Sequence, residues 1–267
     1  VTDLATLGTP LPSRLGVRAR FEDDQLVLEL TPQPETSRHG IIRASVLAFV
    51  IDVAAGMPLD RDAETWMLTS DMTVRMRPVA PPRRIDAVGE ILRQGRRSAT
   101  CVVHLTTDEG APFATGAMGF SRVSRKASDP PKPLIPLEQT PQMFQGQPTL
   151  TRPLRAEAGV QVIDVSEGIV QVELTTDVRN AAGTLQGAMV ALVAEAAVEE
   201  IMESRFGVPF VVTNLDLRYL RQTQGGPVRT RCRLLGDRPD SSVQVELVDL
   251  SNGDITTLVF ATAAAVP

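Results

Sequence analysis

The chain is poor in the residues from which metal and redox sites are built. It has two histidines and two cysteines in 267 residues. Neither pair has zinc-ligand spacing, so no metal is expected. Cys101 and Cys232 stand alone in strand-like stretches, so no disulfide framework is visible, which fits a reducing cytosol. The opening VTDLATLGTP lacks the basic and apolar regions of a signal peptide. No apolar run reaches the roughly 20 residues that span a bilayer. A cytoplasmic protein without a membrane partner is the expectation. Of 27 basic residues only Lys126 and Lys132 are lysines, and the net charge is -5, which disfavours nucleic acid and anionic lipid. There is no GxSxG elbow and no glycine-rich phosphate loop, which argues against serine hydrolases and NTPases of those designs.

What is present is ordinary globular material, 43% hydrophobic and 22% charged, arranged twice. Strand-like alternation over 15–21 and 25–31 leads to an apolar helical stretch, 40–56. A strand over 65–78 follows, then three more, RIDAVGEILRQG, RSATCVVHLTTDEG and FATGAMGFSRV. The second half repeats the order: two strands, a long helix over 183–207, the strand VVTNLDLRYLR, and three closing strands. At one constant offset Gly40 matches Gly183, Arg43 matches Gln186 and Asp52 matches Glu195. After the helix Met76-Arg77 matches Leu220-Arg221. Between the copies, 124–150 is proline-rich and reads as a linker of extended, partly ordered chain. The domains expected are 1–123 and 151–267.

Asp52 and Glu195 sit in helices that are apolar nearly all round up to that point. A carboxylate there is costly unless paired or hydrogen-bonded, and buried acids with shifted pKa values are candidate bases or nucleophiles. The alternative is an architectural acid satisfied by an arginine or by backbone amides. Asp52 lies nine residues beyond Arg43, about 13 Å along a helix axis. The free amides at the helix start can polarise a carbonyl, but the acid of the same helix cannot reach it. A working site therefore needs the acid of one copy to face the helix start of the other.

This pattern resembles the hotdog-fold acyl-CoA thioesterases, particularly the phenylacetyl-CoA and 4-hydroxybenzoyl-CoA branches, in which the acid lies nine residues beyond the His of a His-Gly-Gly motif. The corresponding residues are Arg43-Ala44-Ser45 with Asp52, and Gln186-Gly187-Ala188 with Glu195. Neither copy keeps His-Gly-Gly, and His39 does not replace the motif His. The resemblance covers both copies and implies an α+β double hotdog: two tandem antiparallel sheets, each wrapped round a central helix. It implies hydrolysis of an acyl-CoA thioester in a cleft between the copies, without metal or redox cofactor, CoA entering only as part of the substrate. Asp52 would be base or nucleophile, and the Gly187 amide with Asn180 or Gln186 would hold the thioester carbonyl. The sister site would pair Glu195 with His39, Arg43, Ala44 and Ser45, unless Arg43 merely neutralises the acid.

Thr69 and Thr213 occupy matching places where the family often puts a hydroxyl to orient water; β-propensity explains them equally. Arg77, Arg96, Arg97 and Arg221 could meet CoA phosphates, or line solvated strand edges. His104 reads as a solvent-facing strand residue. Two rivals stand beside hydrolysis: a non-catalytic acyl-CoA-binding or scaffold protein, suggested by the broken motifs, and a hotdog hydratase, for which the required His–acid motif is absent. Two such molecules could also pair as a homodimer.

Overall fold

The structure is a computed structural model that describes residues 11–129, 131–132, 134–223 and 225–266. The opening decapeptide, read as carrying no leader, falls outside the described residues. In chain order the elements are β1 (Val17–Glu22), β2 (Gln25–Leu30), β3 (Ser37–Arg38), β4 (Ile41–Ile42), α1 (Ala44–Gly56), β5 (Thr65–Met76), β6 (Ile85–Gln94), β7 (Ser98–Thr107) and β8 (Pro112–Ser124). There follow α2 (Thr140–Met143), α3 (Leu154–Glu157), β9 (Gln161–Asp164), β10 (Ile169–Val172), α4 (Gly187–Phe206), β11 (Phe210–Tyr219), β12 (Val228–Leu234), β13 (Val243–Asp249) and β14 (Asp254–Ala265).

Twelve strands form one antiparallel sheet in the order β1-β2-β6-β7-β8-β5-β11-β14-β13-β12-β10-β9, and β3 with β4 makes a small separate ribbon. The two sheets expected from the sequence are thus continuous. β5 and β11 join them through five residue pairs, from Asn214·Arg75 to Arg218·Asp71. Beyond that seam, Thr65–Ser70 of β5 has its pairing on the β8 side only.

Both long helices begin later than the periodicity suggests. Gly40 and Gly183 hold φ of +76° and +80°, backbone that glycine adopts freely, and so turn the chain before each helix. Arg43 and Gln186 are the N-caps. α4 ends in a left-handed Gly207. The apolar length of each helix is covered by the sheet and by the other helix, and α4 emerges to solvent at Ser204 and Arg205. α1 comes so near β6 that a Cβ on Gly89 would stand 2.6 Å from the Ala54 carbonyl oxygen. A single apolar cluster runs through both halves of the chain. The proline-rich stretch is more ordered than read: it carries α2, which packs on β1, and buries Thr140, Phe144 and Leu150. No helix among the described residues is long and apolar enough to cross a membrane.

Candidate active site

α1 and α4 pack so that the acid of each meets the start of the other, and the two meetings differ. The Asp52 carboxylate accepts the Thr69 hydroxyl at 3.0 Å and lies 3.5 Å from the Gln186 Nε2. The Gln186 Oε1 caps its own helix, accepting the amides of Ala188 at 2.6 Å and Met189 at 3.3 Å. Among the described residues no acceptor meets the Gly187 N–H, the first orphan donor of α4. A Cβ on Gly187 would lie 3.3 Å from the Tyr219 hydroxyl and 3.8 Å from an Asp52 oxygen. The small space above Gly187 is therefore bounded by a carboxylate, a phenol and a free amide.

At the sister meeting there is no such space. Glu195 and Glu199 are each 1% exposed. Glu195 accepts the Ala44 amide at 2.8 Å and the Ser45 hydroxyl at 2.5 Å, with Arg43 3.4 Å away. Arg43 also bonds both Glu199 oxygens at 3.1 Å. Arg38 and Arg155 add contacts to Glu199, Glu203 and Glu200. Ala44 is the positional counterpart of Gly187. Its amide is filled by the extra methylene of glutamate, which the shorter Asp52 lacks. Glu195 is thus a cap for the other helix inside an ion-pair cluster, with Arg43 neutralising it. Arg43 and Ser45 belong to that sealed cluster.

A cavity of about 580 Å³ opens beside Asp52. It lies between the end of α1, the unpaired half of β5, the loop 180–186 and the segment 219–223. Its lining includes Met67 and Thr69 and also Trp66, Leu68 and Ser70, which alternate to the opposite face of β5. The cavity thus lies along the stretch of β5 where the β5–β11 seam has stopped. Asp52 is half-buried and open to this space. Burial pushes its carboxyl up to about 6 against the lowering effect of the Thr69 bond. Burial, reinforced by the Asp52 charge, holds the Tyr219 phenol protonated.

The other residues singled out in the sequence are scattered. Asn180 lines the cavity, but its side chain is exposed and holds its own turn: Oδ1 accepts the amides of Ala182 and Thr184, and Nδ2 donates to the Thr184 hydroxyl. Thr213 bonds the Thr262 carbonyl at 3.3 Å and has no part in holding Glu195. Arg221 lines the cavity and pairs with Asp254 at 2.9 Å. Arg77 and His104 line a separate hollow of about 490 Å³, and Arg96 is exposed in the β6–β7 turn. His39 lies 3.7 Å from Glu203, beside the sealed cluster. Tyr219 went unnoticed in the sequence. Its signal was present, since Leu215, Leu217 and Tyr219 share the inward face of β11 by simple alternation. Among the described residues no group of three or more His, Cys, Asp or Glu side chains is placed to hold a metal ion.

No protein-family model and no curated protein matches the chain. Solved structures do. A tesB protein from Mycobacterium avium subspecies paratuberculosis superposes with a TM-score of 0.67 at 12% identity, over 96% of this chain and 98% of that one. An acyl-ACP thioesterase from Bacteroides thetaiotaomicron gives 0.59 at 9% identity, over 89% and 97%. A protein of unknown function with a hot dog fold, from Alicyclobacillus acidocaldarius, gives 0.60 at 11% identity, over 100% and 99%. Identities this low carry architecture alone, and in architecture this chain, with its large antiparallel sheet and buried helices, is a hotdog-fold protein.

Proposed function

We propose that the chain is an acyl-thioester hydrolase built as a double hotdog, with domains over 1–123 and 151–267 and a connecting segment over 124–150. The strand order on one side of the β5–β11 seam matches the order on the other, which supports the tandem reading. So does the seam register. Met72 pairs with Leu217 and Thr73 with Asp216, and the offset that matches β5 to β11 exchanges these two pairs. The names of the structural neighbours, thioesterases among them, favour the same activity.

The observation that carries the reading is the cavity that brings the Asp52 carboxylate beside Gly187, whose amide is unpaired among the described residues. In the reaction we infer, Asp52 removes a proton from water and the hydroxide adds to the thioester carbonyl. The developing oxyanion accepts the Gly187 N–H, with the Gln186 amide alongside. Collapse expels the thiolate, which takes the proton back from Asp52. Thr69 fixes the carboxylate. This route uses only the chain's own residues. We take acyl-CoA as the substrate, with Arg221 at the cavity wall available to its phosphates. Glu195, Arg43 and Ser45 have no chemical step in this scheme. The test is thiol release from a panel of acyl-CoA and acyl-carrier thioesters by the parent and by Asp52→Asn. The proposal fails if the variant is as fast as the parent. Saturable acyl-CoA binding without turnover would establish the binding-protein reading instead.

A further inference from the structure

Apart from the Asp52 pair, one other carboxylate in the cavity is held by a built frame. Asp60 lines the cavity on the turn that follows α1. Its Oδ1 is used twice, by the Lys132 ammonium at 2.6 Å and by the Met67 amide at 2.8 Å. Lys132 belongs to the connecting segment, and its side chain is 2% exposed. It also donates to the carbonyls of Asp62 at 2.8 Å and Thr65 at 2.7 Å. Three acceptors around one point suit an ammonium with three donors and not a planar guanidinium, which accounts for a lysine in an arginine-rich chain. The ammonium also stands 5.3 Å from the centre of the Trp66 ring.

This frame fixes Asp60 and leaves its Oδ2 with no hydrogen-bond partner among the described residues. The same cavity is lined in part by the apolar side chains of Val53, Met57 and Met67. The separation from Asp52 is bracketed in two ways. Along β5, the residues that hold the two acids, Thr69 and Met67, are two positions apart, about 7 Å. Along the chain the acids themselves are eight positions apart, about 12 Å if the path is helical.

We propose that Asp60, held by Lys132, is the specificity determinant of this cavity and selects acyl thioesters whose chain ends in a hydroxyl about four to six carbons from the carbonyl, as the 7–12 Å bracket allows. This rests on the thioesterase reading above. An alkyl end would strip water from Oδ2 and return nothing, and an ether oxygen would set two acceptors face to face. A hydroxyl donates to it. Lys132 already balances the Asp60 charge, so a neutral donor suffices.

The test compares kcat/KM for 6-hydroxyhexanoyl-CoA, heptanoyl-CoA and 5-methoxypentanoyl-CoA, which are closely matched in length. The parent is expected to prefer the hydroxyl over either competitor by about tenfold or more, the size of one well-made polar contact. Asp60→Asn keeps a carbonyl for Lys132 and Met67 but turns an amide donor to the cavity. It should bring the hydroxyl-to-methoxy ratio near one. Equal parent rates on all three, or an unchanged ratio in Asp60→Asn, overturn the proposal. The parent ranking decides alone should the variant not fold. Asp52-dependent hydrolysis without discrimination defeats this inference and leaves the thioesterase reading standing; no hydrolysis of any of the three overturns this inference, and the thioesterase reading is then decided by the wider panel.

Discussion

At the scale of single residues, the chemistry turns on one methylene. Asp52 stops short of the opposite helix start and leaves its amide free, whereas Glu195 reaches the corresponding amide and consumes it. The Asp52 carboxyl is raised by burial to about 6, so a base at this position is switched on as pH rises through that value. The kcat/KM profile is expected to climb with an apparent pKa near 6 and level off above it; a flat profile between pH 5 and 7 would contradict the assignment. The same shift sets a sign for stability. A carboxyl whose folded pKa is raised binds its proton more tightly in the folded state. The charge therefore costs nothing below the unfolded pKa near 4 and its full penalty above 6. Asp52→Asn should lose about 100-fold or more in kcat. It should also gain up to about 3 kcal/mol of stability at pH 8 and nothing at pH 4, as thermal melts at the two values will read.

Gly187 gives a second prediction of the same grain. Alanine there places a methyl 3.3 Å from the Tyr219 hydroxyl, in the space assigned to the thioester. Gly187→Ala is expected to cut kcat/KM at least tenfold while Tm holds or rises, because alanine is worth up to about 1 kcal/mol over glycine in a helix. A fall in Tm matching the lost activity would assign the glycine a packing role only.

Among elements, the helix starts explain which site residues could be read in advance. The matched offset paired Arg43 with Gln186, which prove to be the N-caps, and Asp52 with Glu195, and the distance along one helix required the crossed arrangement. What the offset could not reveal is that α4 caps itself through Gln186 while α1 is capped from across the molecule by Glu195. That difference depends on side-chain reach, which a matched pair of acids conceals. The local role of Asn180 was hidden for a related reason, since its side-chain oxygen accepts the Ala182 amide two residues on. Lys132 and Asp60 were invisible because two of the lysine's three partners are backbone carbonyls, which leave no mark in a sequence.

The sealed cluster carries its own prediction. Burial and the neighbouring Glu195 push the Glu199 carboxyl up more than Arg43, Arg38 and Arg155 pull it down. Removing one partner of a buried pair strands the other. Arg43→Ala is therefore expected to cost about 3–5 kcal/mol in denaturant unfolding. Glu195→Gln should lose stability, with a fall in activity no larger than the loss of folded protein. A specific activity as low as that of Asp52→Asn would bring Glu195 back as a chemical participant.

For the whole molecule, the hotdog topology was legible as a doubled order of strands and helices, since period and turn residues are local signals. That the two sheets would meet edge to edge was expected too; which strands meet, and in what register, was not legible, because pairing between distant segments is settled by packing. A core shared by both halves, with the cavity drawing on each, predicts one cooperative transition. Circular dichroism and residual thioesterase activity should fall together in denaturant. Two separated steps would show that the halves unfold independently.

The brevity of the β5–β11 junction has a last consequence. Five residue pairs hold the halves, and the cavity beside Asp52, the proposed entrance for substrate, lies where that pairing gives out. Every rung added to that ladder would strengthen the protein and narrow its entrance. A variant engineered for toughness at this junction would be a sturdier molecule that no longer admits its guest.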